Sequence, residues 1–461
     1  MHIMTGPPPA RGIGEAIERL RSSLGGRVLL PETDGYDAAR RVWNGLINRH
    51  PAAIVMCKGP EDVVEAVNVG RTSGLSLAVR SGGHSVAGAS VCDGGLVIDL
   101  SGMKGIEVDP ERRIARAEAG LTLGEFDAAT QRYGLDTTMG VNSDTGIAGL
   151  TLGGGLGRLG REHGLACDNL LAAEVVLADG RRVVANAGEN RDLFWAIRGG
   201  GGNFGVVTAF TYRLHPLGPQ VVGGLLLHDF AHAREVLRFY REFAAAAPDE
   251  IGIEVVFLTS PEGQRLLALS ACYAGPVEEG ERRLQPLRAF GQPVQDLIAP
   301  VPYAALQASA DPLFARGRRY YWKAQFLKTI PDAAIEALME GYARATSPSS
   351  VAVLQQVGGA IARVPANATA YANRDAAYDC FPVAIWDDPR EDERHITWAR
   401  VFWEAMRPFA TGGVYANNLG EEGEERVRAA YGANYARLAR LKAKYDPDNL
   451  FRLNANIRPA G

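Results

Sequence analysis

The sequence predicts a protein of mixed helices and strands that is divided into more than one domain. The first half opens with a β-α-β pattern, in which a helix over residues 61–72 separates two short β-rich runs. After residues 216–219 glycine becomes less frequent, and strands alternate with helices. The length of 461 residues agrees with two or three domains at roughly 150 residues each.

Short elements are expected throughout the first half. Residues 13–24 carry apolar side chains at helical spacing. Pro60 before residues 61–72 and Gly74 after them are typical of helix ends. Asp179-Gly180 indicates a hairpin turn. We expect strands at residues 53–56, 77–79, 96–100, 114–118, 172–177, 181–185 and 206–214 and a short helix at 193–197, whereas residues 140–160 are too glycine-rich for a regular element.

Longer elements are expected in the second half, which we take as a separate domain from about residue 218 to 413. Its strands are predicted at residues 221–228, 251–259, 266–273, 351–357 and 378–386. Its helices are predicted at residues 231–246, 277–290 and 333–344. A helix with charged and apolar faces, residues 424–444, follows this domain and ends in a loop.

Composition argues against several classes of protein. The formal net charge is −4 and no segment accumulates basic residues, so nucleic acid is not an expected partner. Five cysteines at irregular spacing predict neither a disulfide framework nor a metal site. No apolar run approaches the length of a membrane span, and no signal peptide is evident at the N-terminus. We therefore expect a cytoplasmic protein without a membrane partner.

The motif Arg80-Ser-Gly-Gly-His-Ser85 directly follows a predicted strand. Its two glycines allow backbone N–H groups to converge on an anion, and the serine hydroxyls add donors. Arg80 would add a charge for a phosphate. A histidine on such a loop lies where a cofactor would bind, although a surface turn with an incidental histidine gives the same pattern.

Two further glycine-rich segments, residues 145–157 and 198–207, also suit close approach of backbone to a ligand. Both contain a match to the dinucleotide fingerprint G-x-G-x-x-G, at Gly155–Gly160 and Gly200–Gly205. That fingerprint requires a strand before it and a helix after it. The first match follows a loop and the second leads into a strand, so neither predicts a nicotinamide dinucleotide site. For the second segment a flexible loop remains the alternative.

These motifs, with Tyr415-Ala-Asn417 and residues 445–454 near the C-terminus, resemble the berberine bridge enzyme-like branch of the vanillyl-alcohol oxidase flavoprotein family. The resemblance runs from about residue 48 to 459. It implies an α+β fold with a two-part FAD-binding domain of the PCMH type, formed by residues 1–217 (core about 48–217) and completed by residues 414–461. It also implies that residues 218–413 form a substrate domain with a large antiparallel sheet backed by helices.

The resemblance implies FAD attached through a single covalent bond to His84, the position that bonds the flavin 8α-methyl group in the family. Many members add a cysteine bond, but Asn142 stands at that position here, and Cys167 lies in a different motif as a small buried residue. The cofactor contacts implied by the resemblance are Arg80, Ser81, Gly82, Gly83, His84, Ser85, Asn142, Thr145, Gly146, Gly149, Gly153, Gly154, Gly202, Gly205, Val207, Tyr415 and Asn417.

The activity implied is hydride transfer from a C–OH group of a small-molecule alcohol, sugar or secondary metabolite, with O2 reduced to H2O2. The family often uses the second tyrosine of Tyr-x-Asn-Tyr as the base, and that position is Asn418 here. Tyr378 and Tyr415 are the substitutes that we name, and the alternative is that both are only aromatic lining of the site. Each would need a pKa lowered towards neutrality, for which Arg374 and Lys323 are candidate cations.

Thr145 holds the position that tunes access of oxygen in the family, and its size favours an oxidase. A dehydrogenase that uses another electron acceptor is one alternative. A flavoprotein that binds ligand without turnover is the other, because Asn418 replaces the usual base. The oligomeric state is left open.

Overall fold

The computed structural model describes residues 11–461, and it confirms the predicted α+β class. Most of the longer helices agree with the predicted ones within a few residues, but the single helix predicted at residues 424–444 is two helices, Glu424–Tyr431 and Tyr435–Tyr445. A helix that the sequence did not predict lies at Asp392–Met406. The helices are Arg11–Leu24, Tyr36–Ala39, Pro60–Ser73, Leu123–Thr130, Ile147–Gly153, Gly160–His163, Arg191–Ile197, Ala233–Ala246, Val277–Ala289, Tyr303–Ala308, Asp332–Ala343, Ala360–Arg363, Asp392–Met406, Glu424–Tyr431 and Tyr435–Tyr445.

The first half contains a four-stranded sheet with a parallel centre. The β-α-β unit predicted from the sequence is present, since the helix Pro60–Ser73 follows one strand of this sheet and leads to another. Gly74 ends this helix in the left-handed conformation, at φ +69°. In spatial order the strands are Val28–Leu29, Ala53–Met56, Leu96–Asp99 and Leu77–Arg80, of which only the first runs antiparallel to its neighbour.

A five-stranded antiparallel sheet completes the first half. It includes the predicted hairpin, whose turn holds Gly180 at φ +83°. In spatial order its strands are Ile106–Asp109, Ile114–Glu118, Val206–Arg213, Leu170–Val176 and Arg182–Asn186. A two-stranded ribbon pairs Leu135–Asp136 with His215–Pro216.

A nine-stranded antiparallel sheet dominates the second half, as predicted. The central path is Gln295–Asp296, Gln220–Asp229, Arg265–Tyr273, Ile251–Thr259, Val351–Gln356, Tyr378–Trp386 and Arg319–Trp322. Ala299–Pro302 pairs with the second of these strands, and Gln325–Leu327 pairs with Tyr378–Trp386.

One face of this sheet is covered by helices. Alternate residues of each strand, such as Val255, Leu354 and Cys380, are buried against the helices Ala233–Ala246, Asp332–Ala343 and Asp392–Met406. Because successive side chains of a strand point to opposite faces, the residues between them are directed to the other side. That other face looks towards the glycine-rich loops of the first half.

The glycine-rich segment contains a helix, Ile147–Gly153, so the prediction that residues 140–160 hold no regular element is wrong. This helix is short and its glycines serve close packing. A Cβ at Gly153 would lie 2.0 Å from Oδ1 of Asn417. Propensity disfavours glycine in a helix, and here tertiary packing overrides that preference.

The C-terminal segment returns to the glycine loops of the first half. Asn454 donates from Nδ2 to the carbonyl of Gly202 at 3.1 Å, and Ile457 donates from its N–H to Oδ1 of Asn203 at 2.9 Å. The ammonium of Lys442, which is fully buried, donates to the Asn203 carbonyl at 2.7 Å. The last residues therefore pack on the same loop that the sequence predicts to contact a cofactor.

Candidate active site

A cavity of about 1040 Å³ lies between the glycine-rich loops and the nine-stranded sheet. Backbone of the first half and of the C-terminal segment lines one side, and strand residues of the sheet line the other. This volume is at the upper end of the range for ligand sites in proteins. It therefore has room for a bound molecule the size of a cofactor with a substrate beside it.

Most of the residues that the sequence predicts as cofactor contacts line this cavity. A Cβ added to Gly149 or Gly202 would meet no atom within 4 Å, so the space in front of both is open. The lining includes Ser81, Gly82, Gly83, His84, Ser85, Asn142, Thr145, Gly146, Gly149, Gly202, Gly205, Val207, Tyr415 and Asn417. This lining of bare backbone fits a long ligand with a phosphate-rich centre such as FAD.

Glycine is required where two of these loops meet. A Cβ at Gly82 would lie 2.3 Å from the backbone nitrogen of Gly146, and a Cβ at Gly146 would lie 2.2 Å from that of Gly82. The backbones at Gly82 and Gly146 therefore lie so close together that neither position can carry a side chain. This contact joins the His84 loop to the start of the helix Ile147–Gly153.

His84 is held from two sides at the cavity wall. Its ring stacks on the indole of Trp43 with centroids 4.6 Å apart, and its Nε2 lies 2.6 Å from Oδ1 of Asp144. Arg316 donates to the other oxygen of Asp144 at 3.1 Å and also to the carbonyl of Gly82. Burial raises the pKa of Asp144, but hydrogen bonds and charge from His84 and Arg316 outweigh it and hold that pKa below its usual value.

Three of the predicted cofactor contacts, Arg80, Gly153 and Gly154, are not part of the cavity lining. Arg80 is buried and donates from Nε to the carboxylate of Asp99 at 2.9 Å, so its charge is not offered to a phosphate. Gly153 faces Asn417, and Gly154 faces the ring of Tyr371. These glycines permit protein packing instead of ligand contact.

Tyr378, which the sequence predicts as a candidate base, does not line the cavity. It begins the strand Tyr378–Trp386, and strand alternation turns it to the helix-covered face, where it approaches the ring of Tyr240. Burial raises the pKa of Tyr378 instead of lowering it. Arg374, the cation proposed to help it, forms a two-point ion pair with Asp168 at 2.6 and 2.7 Å.

Tyr415 lines the cavity, but its hydroxyl is an acceptor for the protein. It accepts from the backbone N–H of Gly155 at 2.9 Å and from Nδ2 of Asn417 at 2.9 Å. Burial raises the pKa of Tyr415 to about 12, so the phenol stays protonated at neutral pH. Lys323, the other predicted helper, pairs with Glu422 at 2.6 Å. Tyr415 is thus a structural contact in the lining and does not have the properties of a base.

Thr145 and Asn142 line the cavity where the sequence predicts them, and Cys167 does not line it. Burial raises the pKa of the Cys167 thiol, which keeps it protonated. Residues 11–461 contain no cluster of three or more His, Cys, Asp or Glu side chains suited to a metal ion. None of the helices in this part of the chain has the length and apolarity needed to cross a membrane.

Comparison with known proteins agrees with this geometry. Residues 51–186 match the family described as "FAD binding domain", and residues 414–458 match "Berberine and berberine like". An FAD-linked oxidoreductase of Dictyostelium discoideum is 32% identical over 97% of this chain and 98% of its own. The chain belongs to the berberine bridge enzyme-like FAD-linked oxidoreductases. It is an FAD-dependent oxidoreductase by family.

Individual relatives of this flavoenzyme include characterised oxidases. (R)-6-hydroxynicotine oxidase of Paenarthrobacter nicotinovorans is 31% identical, with 95% of this chain and 98% of the relative covered. The crystal structure of 6-hydroxy-D-nicotine oxidase from Arthrobacter nicotinovorans superposes with a TM-score of 0.87 at 28% identity, covering 95% of this chain and 98% of that one. Berberine bridge enzyme-like 1 of Physcomitrella patens also gives 0.87, at 26% identity, with 96% and 99% covered.

The sequence motifs do not reveal an acidic residue of this flavoenzyme, Asp379, which lies next to Asn418, the position of the usual base. Its Oδ2 accepts a hydrogen bond of 2.7 Å from Nδ2 of Asn418, a residue of the cavity lining. Its Oδ1 is buried and has no hydrogen-bond partner among the described residues. Burial raises the pKa of Asp379 to about 7, against which the Asn418 hydrogen bond acts. The sequence feature that could have identified Asp379 is a lone carboxylate in an otherwise apolar strand.

Proposed function

We propose that this flavoenzyme is an oxidase that removes a hydride and a proton from a C–OH group and delivers both electrons to O2, giving a carbonyl product and H2O2. FAD, when bound, supplies the hydride acceptor. The observation that carries the proposal is the position of the Asp379–Asn418 pair. Asn418 lines the same cavity as the glycine loops and His84, and the buried Asp379 lies directly behind it, so a group that can take up a proton is one hydrogen bond away from the cavity lining.

The proton of the substrate hydroxyl needs an acceptor at neutral pH. Asn418 cannot hold it, so we propose that the substrate hydroxyl hydrogen-bonds to the carboxylate of Asp379, which Asn418 orients by donating from Nδ2 at 2.7 Å. We assign the proton to Asp379, at the unpartnered Oδ1. A pKa near 7 is suited to a general base, because half of the carboxyl groups are then ionised at neutral pH.

His84 is the proposed covalent attachment point of FAD, through a single bond. A carboxylate next to one ring nitrogen favours the tautomer with its proton there. Asp144 accepts from Nε2, so Nδ1 carries the lone pair that a new bond requires. Cys167 is buried outside the lining and Asn142 has no thiol, which supports one link instead of two.

The attachment is tested by acid precipitation and intact mass. Wild-type protein is expected to keep one flavin per chain through acid precipitation, and His84→Ala is expected to release it into the supernatant. Cys167→Ala is the control and should keep the flavin with an unchanged absorbance spectrum. A changed spectrum in this control would show a second bond and contradict the single link.

The oxidase assignment is tested by turnover under air with a panel of alcohols and sugars. We expect one H2O2 for each carbonyl formed. Carbonyl formation that needs an added dye, with no peroxide, would instead identify a dehydrogenase. A flavin that photoreduces normally but is bleached anaerobically by none of the panel would favour a flavoprotein that binds its ligand without turnover. Thr145 lines the cavity and is the residue where we place control of oxygen access.

A further inference from the structure

The cavity-facing side of the nine-stranded sheet carries one polar row across four adjacent strands. Glu254 is the register partner of Ser270 on one side and of Gln355 on the other, and Gln355 is the partner of Asp379. Glu254, Ser270 and Gln355 line the cavity. The polar row therefore starts at the proposed proton acceptor and runs away from it across the sheet.

The rows beside it are apolar. Val256 pairs with Ala268 and with Val353, and Val353 pairs with Phe381. All four line the cavity, as do Leu258 and Val383 further along the same strands. The sheet surface that faces the cavity is thus apolar except along the polar row.

Arg158 meets the far end of the polar row. Its Nη1 donates to Oγ of Ser270 at 3.0 Å, and Glu254 accepts from Nε2 of Gln355 through Oε1 at 2.8 Å. Among the described residues, Nε of Arg158 is buried without a hydrogen-bond partner, Oε2 of Glu254 takes part in no side-chain hydrogen bond, and the two side chains form no ion pair within 4.0 Å. A donor and an acceptor therefore remain unused at one end of the cavity.

We propose that Arg158 and Glu254 form a second polar subsite, which binds a neutral head group of the substrate that both accepts and donates hydrogen bonds, such as a carboxamide. The proposal rests on the proposed oxidation of a C–OH group at the Asp379–Asn418 pair. A carboxylate head group would be attracted by Arg158 but repelled by Glu254. An ammonium head group would be attracted by Glu254 but repelled by Arg158. A carboxamide satisfies both without a net charge.

The spacing of the strands sets the length of the substrate. Neighbouring strands lie about 4.8 Å apart, so the backbone positions of Asp379 and Glu254, two strands apart, are separated by roughly 10 Å. Both side chains reach inwards and shorten this span. A single six-membered ring with the reacting hydroxymethyl group and the head group at opposite positions fits the span, with its ring on the valine rows.

The experiment measures binding of three para-substituted benzyl alcohols to the holoenzyme through the change in flavin absorbance. The probes are 4-(hydroxymethyl)benzamide, 4-(hydroxymethyl)benzoate and 4-methylbenzyl alcohol. Wild-type protein is expected to bind the benzamide at least about tenfold more tightly than the other two. In Glu254→Gln the repulsion is gone while Arg158 remains, so the benzoate should become the tightest ligand. In Arg158→Met both polar ligands should lose about tenfold.

Val353→Ala is the matched control on the apolar row. It should weaken all three ligands by a similar factor and leave their ratios unchanged, because it contacts the ring and not the head. Equal binding of the benzamide and the methyl compound by wild-type protein, absent binding of all three, or no change of preference in Glu254→Gln would each overturn the subsite. Discrimination that follows these variants, without flavin reduction by any probe, would support the subsite and count against the proposed oxidation.

Discussion

At the scale of single residues, the site pairs groups that lie far apart in the chain. His84 and Asp144 are 60 positions apart, and Asp379 and Asn418 are 39 apart. In each pair a carboxylate fixes the orientation of the side chain that faces the cavity. The carboxylates, and not the tyrosines that the sequence suggested, are therefore the residues on which we place the chemistry.

The proton acceptor gives the first prediction. Asp379→Asn should lower kcat by about 10²- to 10⁴-fold, because it removes the group that takes up the hydroxyl proton. The wild-type rate should rise with pH through about 7 and then level off, since only ionised Asp379 is active. This inflection should be absent in Asp379→Asn.

Tyr378→Phe is the control, because that residue is next in the chain but lies on the helix-covered face. Its rate and pH profile should match those of the wild type. Unchanged kcat in Asp379→Asn, at full flavin content, would show that the proton leaves by another route.

Asp144 gives the second prediction. Without its carboxylate the tautomer of His84 is no longer fixed, so Asp144→Ala should reduce the fraction of chains with covalent flavin to well below one. The measurement is intact mass after expression with ample riboflavin. Asp144→Asn should give an intermediate fraction, because an amide oxygen still accepts from Nε2. Full covalent loading of Asp144→Ala would rule out this role.

A site residue could be predicted from the sequence when its role did not depend on a partner that only the fold brings beside it. Glycines that line the cavity are visible in the sequence because backbone approach needs no partner. The ion pair of Arg80 with Asp99 could not be predicted, because only parallel strand pairing brings Asp99 beside Arg80 as its register partner. Arg158 and Glu254 could not be assigned, because Arg158 reaches the polar row, at Ser270, only where a loop of the first half crosses to the sheet of the second half.

At the scale of secondary structure, the helix Ile147–Gly153 presents two glycines to different surroundings. Gly149 faces open cavity, and Gly153 faces Asn417. Asn417 cannot easily move away, because its Nδ2 donates to the Leu150 carbonyl at 3.1 Å and to the Tyr415 hydroxyl. Replacing each glycine with alanine therefore tests a ligand-binding role at Gly149 and a packing role at Gly153.

These two glycines give the third prediction. Gly149→Ala should keep or raise the free energy of unfolding by up to about 1 kcal/mol, since alanine favours a helix, while FAD content falls as the new methyl enters the cavity. Gly153→Ala should lower the free energy of unfolding by about 1–3 kcal/mol through overpacking. Thermal unfolding and the flavin-to-protein ratio measure both. Equal stability of the two variants would contradict the packing shown.

Strand positions were predicted closely, but the face of each strand was not. The strands predicted at residues 251–259 and 378–386 coincide with Ile251–Thr259 and Tyr378–Trp386. Both sequences are apolar on two faces, because one face meets helices and the other meets the cavity. Alternation alone gives two sets of residues without telling which set faces a ligand, so it could not separate Tyr378, on the helix-covered face, from Asp379, on the opposite face.

At the scale of the whole molecule, contacts between the two halves hold the cavity in shape. Trp43 stacks between His84 and Tyr320 of the sheet, with the Tyr320 ring centroid 3.8 Å away. The buried side chain of Asn44 donates to the carbonyls of Val86 and Tyr320, both at 2.9 Å. The wall that holds His84 is thus attached directly to the sheet that lines the other side of the cavity.

A second junction between the halves contains two buried acids. Asp127 lies on the helix Leu123–Thr130, and Gln307 of the second half donates to its carboxylate at 3.5 Å and to the carbonyl of Gly140 at 2.9 Å. Burial raises the pKa of Asp127, and the charge of Asp136 raises it further. Burial also raises the pKa of Asp136, to about 7. The raised pKa values therefore favour a junction in which at least one of these two carboxyl groups is protonated.

The fourth prediction follows from this junction. An acid whose pKa is higher in the folded than in the unfolded chain binds more protons when folded, so stability falls as pH rises from about 4 through about 7. Because Asp379 shares this direction, the test compares variants: wild type should lose more free energy of unfolding between pH 5.5 and pH 8 than Asp136→Asn does. The difference should be on the order of 1 kcal/mol or more, as one pKa unit corresponds to about 1.4 kcal/mol. Denaturant unfolding at both pH values measures this difference. Equal losses in the two proteins would mean that Asp136 is ionised in the folded chain without cost.

The same comparison extends to the cavity, because Gln307 connects this junction to Gly140 in the cavity lining. The flavin of the wild-type protein should become more accessible to quenchers at pH 8, and the flavin of Asp136→Asn should not change.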